Sequence, residues 1–225
     1  MNIWIGSDCV GTWSYFLPED ERQHDPLRQW GRLTPAALAV FDRLFSDRLL
    51  QCPLFLTLWI DDPGNLAQAS RVQIDIREAV DSTVEHLLRA AGRRGIRLSV
   101  RGSSVVCSPS GERLLEDVLG VDVSPASYGS SISVWTLSDV WMPYDFQARP
   151  HPEVAALNAP RLKTALKAIE RMLGVVALSE DSHFAKVDGY ELRNHVVRGD
   201  VLDLQDMGYD ASVIAEPWPD PAPAG

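Results

Sequence analysis

The sequence contains few cysteines, which limits how the fold can be stabilised. Three cysteines, Cys9, Cys52 and Cys107, occur in 225 residues, widely spaced and without a C-x-x-C pair. Secreted disulfide scaffolds carry denser and usually even sets of cysteines, so the sequence predicts reduced thiols and a cytoplasmic location. A chain of this length buries about 70–75% of its unfolded surface, which is enough for a core that needs neither disulfides nor metal.

Long hydrophobic runs and an excess of cationic side chains are also missing. The longest apolar run, residues 53–60, is too short to cross a bilayer, and the first residues lack the basic and apolar regions of a signal peptide. Asp and Glu total 31 against 21 Lys and Arg, a formal net charge of −10. Because phosphates and anionic membranes attract clustered cations, this balance excludes a membrane partner and disfavours nucleic acid.

Common catalytic motifs are absent from the sequence. It has no G-x-S-x-G, no Walker A loop, no G-x-G-x-x-G and no H-E-x-x-H. We therefore expect no cofactor and favour a non-enzymatic protein, while leaving a catalytic activity open.

Two groups of metal-binding residue types support an enzymatic alternative. Asp61 and Asp62 follow an apolar strand pattern, where α/β proteins place ligands, and their carboxylates suit Mg²⁺. The sequence Asp-Asp-Pro-Gly is, however, more typical of an ordinary turn, and we favour the turn at this position. His183 and His195 with Glu180 offer transition-metal ligands, although their spacing matches no metal signature. These residues predict a metal-dependent hydrolase or phosphotransfer enzyme as the first alternative.

Hydrophobic periodicity predicts an α+β fold, with about four helices packed on a mostly antiparallel or mixed sheet. The predicted helices cover residues 35–50, 76–91, 110–119 and 153–173. The predicted strands cover residues 2–5, 12–17, 54–60, 96–100, 105–107, 131–135, 140–146, 175–178, 184–187 and 190–196. We expect one domain over residues 1–215, with a candidate lobe joint near 147–152 and a disordered tail over 216–225.

Turn signals predict how several strands pair. Strands 2–5 and 12–17 are expected to form a hairpin, as are 96–100 and 105–107 across Gly102, and strand 140–146 is expected beside 131–135. Asp188-Gly189 is typical of a tight turn between two strands.

Charge is distributed unevenly along the chain. From Glu180 to Gly225 there are ten acids and three bases, whereas residues 86–111 contain five arginines and no acid. One interpretation is that these stretches neutralise each other within the fold, or lie on separate solvated faces. The other is that the acidic stretch faces a basic partner, since complementary charge steers association.

We predict a non-enzymatic module that binds a basic protein through this acidic surface. Arginine outnumbers lysine by 18 to 3, a skew typical of GC-rich bacterial coding sequences. An immunity or inhibitor protein that neutralises a basic toxin or effector is one such case, because nucleic-acid-directed effectors must be basic. The predicted contact residues are Asp200, Asp203, Asp206, Asp210 and Trp141.

Two further alternatives concern tryptophan and arginine. Trp30, in a predicted loop, and Trp141, at a predicted strand edge, are interface candidates, with burial in the core as the alternative for both. The arginines from Arg89 to Arg101, helped by an adjacent aromatic side chain, are candidates for binding single-stranded nucleic acid.

Overall fold

Helices and strands are both present, which confirms the α+β class. The computed structural model describes residues 3, 5, 9–18, 26–62, 65–66, 70–74, 96–125 and 130–209. Within these ranges there are two helices, α1 (Pro26–Ser46) and α2 (Pro152–Leu173), rather than about four. Neither of these described helices is long and apolar enough to cross a membrane. The predicted helix over 76–91 and the predicted tail over 216–225 lie outside the described residues.

One large sheet organises the described residues. Its strands are β1 (Gly11–Phe16), β2 (Gln51–Asp62), β3 (Asn65–Leu66), β4 (Ser70–Ile74), β5 (Ile96–Ser108), β6 (Gly111–Ser124), β7 (Ser131–Thr136) and β8 (Leu178–Glu180). They follow the order β3-β2-β5-β6-β7-β1-β8, with β4 also paired to β2, and each of these pairs is antiparallel. Two hairpins follow, formed by β9 (Lys186–Asp188) with β10 (Glu191–Arg193) and by β11 (Val196–Val197) with β12 (Asp200–Val201).

Strand alternation gives the sheet an apolar inner face and a polar outer face. One inner row across β1, β7, β6 and β5 is Trp13, Val134, Val121 and Val100, and the next is Tyr15, Ile132, Val123 and Leu98. The Tyr15 hydroxyl donates a hydrogen bond of 3.0 Å to the carbonyl of Leu166 in α2. The inner face therefore lies under α2, and the alternate residues of each strand lie on the outer face.

Helix α1 begins at Pro26, nine residues before its predicted start at Pro35. Its apolar stripe starts with Trp30 and Leu33 and continues through Phe41 and Leu44, all of which are buried. Burial of this stripe stabilises the helix on the N-terminal side of Pro35 as well. Pro35 therefore lies inside the helix, where its missing N–H costs one backbone hydrogen bond. Trp30 is thus a buried helix residue rather than a loop residue, which agrees with the core alternative.

Helix α2 matches its predicted range closely. Pro152 stands at its start, where a missing N–H costs little, and Gly174 ends it by donating its N–H to the carbonyl of Glu170. The buried face includes Val154, Leu162 and Ile169 at helical spacing. This helix covers the inner face near β1 and β5.

The predicted helix over 110–119 is wrong, because these residues form most of β6. Gly102 of β5 pairs with Leu119 but Ser103 pairs with Glu116, so two residues of β6 bulge out of the ladder. Asp117, one of the two, has a φ of 55°. The bulge interrupts the alternation of buried and exposed side chains along β6. Buried residues therefore recur at 115, 118 and 119, a spacing that resembles that of a helix.

The hairpin predicted around Gly102 is also wrong, since 96–108 is one continuous strand, β5. A Cβ at Gly102 would lie 2.6 Å from the carbonyl oxygen of Gln51, so glycine is needed here for the close approach of β2 rather than for a turn. The actual turn follows at Pro109-Ser110 and leads into β6.

Two further pairings differ from the prediction. Both edges of β1 are taken by β7 and β8, and Ile5 bridges to Ser138, so the hairpin between 2–5 and 12–17 does not form. Residues 140–146 form turns rather than a strand beside β7. The Asp188-Gly189 turn is confirmed: it joins β9 and β10, with a φ of 60° at Gly189.

Candidate functional site

The acidic segment, defined here as residues 178–209, is anchored to the body of the protein. Phe184 is buried between the rings of Phe146 and Tyr209, with centroids 5.5 Å away in both cases. The Trp13 indole donates a 2.7 Å hydrogen bond to the carbonyl of Gly189, and the N–H of Leu204 donates to the carbonyl of Phe146 at 3.1 Å. Buried ring contacts and hydrogen bonds therefore hold this segment against the rest of the protein.

Three of the predicted contact residues lie on this segment. Asp200 and Asp206 are exposed and Asp203 is half-buried. Each carboxylate of the pair Asp203 and Asp206 accepts a hydrogen bond from the other residue's backbone N–H, at 2.8 and 3.2 Å. These bonds fix the direction of both side chains. Asp210, the fourth predicted aspartate, lies outside the described residues.

Ion pairs neutralise only part of the segment. Arg193 pairs with Asp188 at 2.7 Å, and Lys163 of α2 pairs with Glu191, which lowers the pKa of the Glu191 carboxyl. The remaining five acids make no ion pair with any residue that the structure describes, and they are Glu180, Asp181, Asp200, Asp203 and Asp206. Within this part of the described surface these five carboxylates outnumber the two remaining bases, Lys186 and Arg198, so the segment keeps an excess of negative charge.

Exposed apolar side chains accompany these acids. Val196 and Val197 are 51% and 52% exposed on the β11–β12 hairpin, where Val197 pairs with Asp200. Leu178, at the edge of the large sheet, is also exposed. Apolar side chains among unpaired carboxylates are a composition suited to a protein interface.

Trp141, the fifth predicted contact residue, is a core residue in this structure. Its side chain is 2% exposed, and its indole N–H donates a 2.7 Å hydrogen bond to the hydroxyl of Thr136. That burial agrees with the core alternative, and the indole offers a partner almost no surface.

The backbone of β2 fixes where the first two candidate metal ligands stand in the sheet. Asp61 and Asp62 continue β2 and pair with Leu66 and Asn65 of β3. The neighbours of β2 are antiparallel, so the rule that places ligands at the carboxyl edge of parallel strands does not apply. No group of three or more His, Cys, Asp or Glu side chains suited to a metal occurs among the described residues.

The two histidines of that set have separate surroundings. His183 is exposed, with its ring centroid 5.8 Å from that of Tyr209. The Nε2 atom of His195 lies 3.0 Å from the carbonyl oxygen of Ser182, a hydrogen bond that ties two parts of the acidic segment together.

The outer face of the sheet carries a second cluster, which the sequence alone did not reveal. One row across five strands is made of small polar residues and one acid, namely Ser14, Ser133, Asp122, Ser99 and Thr57. The neighbouring row is Thr12, Trp135, Gly120, Arg101 and Phe55. Strand register thus brings residues from distant parts of the chain onto one polar surface.

Four side chains of this face form a compact group, which we call the polar patch: Arg97, Arg101, Asp122 and Trp135. The Arg97 guanidinium pairs with the Asp122 carboxylate. The Arg101 guanidinium carbon lies 5.2 Å from the centroid of the Trp135 ring, a cation–π contact. Gly120 makes room for the indole, since a Cβ there would lie 2.3 Å from the ring.

The polar patch bears on the nucleic-acid alternative. Arg97 and Arg101 are the described members of the basic stretch, while Arg89, Arg93 and Arg94 lie outside the described residues. Trp135 does supply an aromatic neighbour, but it is 4% exposed and already covered by a guanidinium. Its ring therefore offers no free face on which a base stacks.

A buried polar loop lies at the start of α2. Asp139, Asp145 and His151 are all buried there. Asp145 accepts backbone N–H bonds from Gln147 and Arg149 at 2.8 and 2.9 Å, which organises the turn. Burial lowers the pKa of the His151 imidazole, an effect that the charge of Asp145 partly opposes.

His151 should make stability depend on pH. Its folded pKa lies below the unfolded value of 6.5, so the unfolded chain binds more protons as the solution is acidified. The stabilising contribution is complete above pH 6.5 and decreases as the pH falls below that value, by at most about 1.4 kcal/mol per pH unit.

Urea unfolding at pH 7.5 and 5.5 tests this expectation. The His151→Gln variant should lose less unfolding free energy on acidification than the wild type, whereas the exposed control His183→Gln should behave as the wild type does. Equal losses in the wild type and His151→Gln would show that this histidine does not set the pH dependence.

Comparison with known proteins supplies no relative from which a function transfers. No protein-family model, curated protein or solved structure matches the chain. The acidic segment and the polar patch are therefore interpreted from their own chemistry.

Proposed function

We propose that the protein binds a basic protein partner through the acidic segment. The observation that supports this function is the combination of five acids without described ion pairs and the exposed Val196 and Val197 beside them. Val196 and Val197 are consecutive strand residues, so one exposed valine lies on each face of the β11–β12 hairpin. Apolar area that is lost on binding supplies affinity, while the carboxylates steer a cationic partner and set its orientation.

The anchoring of the segment supports the same proposal. The mutual backbone bonds of Asp203 and Asp206 hold the carboxylates in place before binding, which reduces the entropy lost on association. A partner with arginines or lysines around a small apolar contact fits this surface. A basic toxin or nucleic-acid-directed effector has that chemistry, so an intracellular immunity or inhibitor role is our proposal for the biological setting.

Neutralisation of the aspartates tests the proposed surface. In the test variant, four aspartates are changed to Asn: Asp200, Asp203, Asp206 and Asp210. The change removes four negative charges but keeps side-chain oxygens that can accept the backbone N–H bonds at positions 203 and 206. We expect binding to weaken at least about fourfold, because exposed charge pairs contribute about 0.2–1 kcal/mol each and four of them contribute about 0.8–4 kcal/mol. We also expect a flatter salt dependence.

The partner for this measurement is found by cross-linking the wild type in extracts of its native cell, followed by purification of the enriched basic protein. The dissociation constant is then measured at 50 and 200 mM salt. A matched control changes four exposed acids elsewhere, and these are Asp42, Glu112, Glu116 and Glu153. Equal binding by both variants, or no weakening in the first, would contradict the proposal.

A further inference from the structure

The large sheet ends at β8, which is paired on one edge only. That edge is taken by β1, and no strand that the structure describes pairs with the other edge, which we call the open edge. Leu178 and Glu180 are exposed along this strand. An exposed strand edge is a template on which another chain can pair through its backbone.

The hydrogen bonds of β1 determine which backbone groups of β8 face the open edge. The N–H of Leu17, which continues β1, donates to the carbonyl of Ser130 on the β7 side at 2.9 Å. Since successive residues of a strand direct their backbone groups to opposite edges, the odd-numbered residues of β1 bond to β7 and the even-numbered ones to β8. The residues of β8 that bond to β1 are then Leu178 and Glu180. Ser179 directs its N–H and C=O to the open edge.

The backbone N–H of Ala177 supports this direction. Ala177 is two residues from Ser179, so its N–H points to the same edge of the strand. This N–H donates to Oε2 of Glu170, in α2, at 3.2 Å. A carboxylate oxygen therefore stands where the carbonyl of a neighbouring strand would accept the bond.

Exposed apolar side chains lie beside the open edge on the outer face of the sheet. Ser14 pairs with Leu178. Phe16 follows Ser14 by two residues and Val176 precedes Leu178 by two, so both extend this row when the antiparallel strands are continued. Phe16, Leu178 and Val176 are 47%, 62% and 75% exposed. Edge strands that only avoid association carry charges at such positions, so this apolar row indicates a surface that another chain covers.

The charge at the open edge selects the occupant. Glu180 and Asp181 are exposed and make no ion pair with a described residue. A second copy that paired antiparallel about Ser179 would bring these acids of both copies onto one short stretch, and like charges at such separations repel. The acids thus disfavour a second copy, and they attract a strand that carries lysine or arginine.

We propose that a basic, extended segment of the partner adds to the large sheet as a further strand at the open edge of β8. This inference rests on the proposed function, since β8 belongs to the acidic segment, and it specifies how the partner is held. Backbone bonds with Ser179 set the position of the added strand. Its apolar side chains lie over Leu178 and the neighbouring apolar row, and its cationic side chains lie near Glu180 and Asp181.

Fluorescence anisotropy with synthetic peptides tests strand addition on the wild-type protein. The probe is a labelled peptide that alternates valine and lysine. Two control peptides keep this sequence but carry backbone N-methyl groups, one on every valine and the other on every lysine. A strand that adds to one edge uses the N–H groups of every second residue only, so one control should bind about tenfold more weakly and the other as the parent does. No binding of the parent peptide, or equal binding of all three, would overturn the proposal.

Two substitutions at Ser179 test the same backbone group from the side of the protein. Ser179→Pro removes the N–H that faces the open edge and leaves the bonds of β8 to β1 in place, which is the position where strands tolerate proline. Ser179→Ala also lacks the hydroxyl but keeps the N–H. We expect the proline variant to bind the valine–lysine peptide about tenfold more weakly than the alanine variant, with urea unfolding to confirm that both are folded. Equal binding by the two variants would count against strand addition.

The same variants separate this inference from the proposed function, because they keep every acid of the acidic segment. Measured with the cross-linked natural partner, a loss of affinity on neutralising the four aspartates but not in Ser179→Pro would overturn strand addition and leave the proposed function in place. A loss in Ser179→Pro alone would support strand addition and contradict the role of the aspartates. Light scattering on the free protein should show a monomer, and a dimer that Ser179→Pro dissociates would show that a second copy occupies the open edge instead.

Discussion

The Trp141→Ala variant is expected to lose about 3–5 kcal/mol of unfolding free energy, the cost of removing a large aromatic side chain from a packed core. Trp141 is among the largest fully buried side chains of the described residues. Its indole N–H bonds to the hydroxyl of Thr136, which itself donates 2.7 Å to the carbonyl of Val118 in the β6 bulge. The substitution therefore removes packing and also disturbs the bond chain that supports the bulge.

Urea denaturation of Trp141→Ala and Trp141→Phe measures these contributions separately. The phenylalanine variant keeps most of the aromatic volume and loses the N–H, so we expect a smaller loss of about 1–3 kcal/mol. An alanine variant within 0.5 kcal/mol of the wild type would show that the indole is not part of the core. The interface alternative for this residue would then regain its support.

Local signals in the sequence predicted an element correctly where tertiary packing favours the same structure. The range of α2 follows from its apolar spacing, Pro152 and Gly174, and the tight turn at Gly189 follows from the Asp-Gly dipeptide. Strand β2 follows from its continuous apolar run, which predicts a central strand, and it pairs with β4 on one edge and with β5 on the other. In each case the local preference and the tertiary environment favour the same structure.

The errors arose where long-range contacts change the local period. The bulge at Asp117 gives β6 a helical spacing of buried residues, and nothing near it in the sequence shows that β5 pairs on one side and β7 on the other. Gly102 has the composition of a turn, but the close approach of β2 determines its role. These effects depend on strands far apart in sequence, so periodicity alone does not predict them.

The acidic segment can be found from the local sequence, whereas the polar patch depends on long-range strand pairing. The acidic segment is visible as an excess of carboxylates over a continuous stretch, and counting charges is enough to find it. The polar patch requires Arg101 to face Trp135 across Gly120, and this depends on the register of β5, β6 and β7. The sequence showed a basic stretch there but not its acidic and aromatic neighbours. The register is therefore what brings these side chains from three strands onto one face of the sheet.

The Phe184→Ala variant is expected to release the acidic segment from the body of the protein. The ring of Phe184 packs against Phe146 and Tyr209, so its removal leaves a cavity at the base of the segment, at a cost of about 3–5 kcal/mol. Hydrogen exchange should show amides of residues 178–209 losing protection before those of β5 and β6. The matched control is Phe16→Ala, in which a half-exposed ring is removed and stability should change by less than about 0.5 kcal/mol.

This variant also connects the fold to the proposed function. Phe184→Ala leaves every carboxylate and valine of the acidic segment in place but removes their fixed arrangement, so partner binding should weaken although the net charge is unchanged. Full affinity in a variant whose segment has lost protection would show that the partner recognises charge alone and needs no preformed surface. Uniform loss of protection across the molecule would instead show that the acidic segment and the sheet unfold as one cooperative unit.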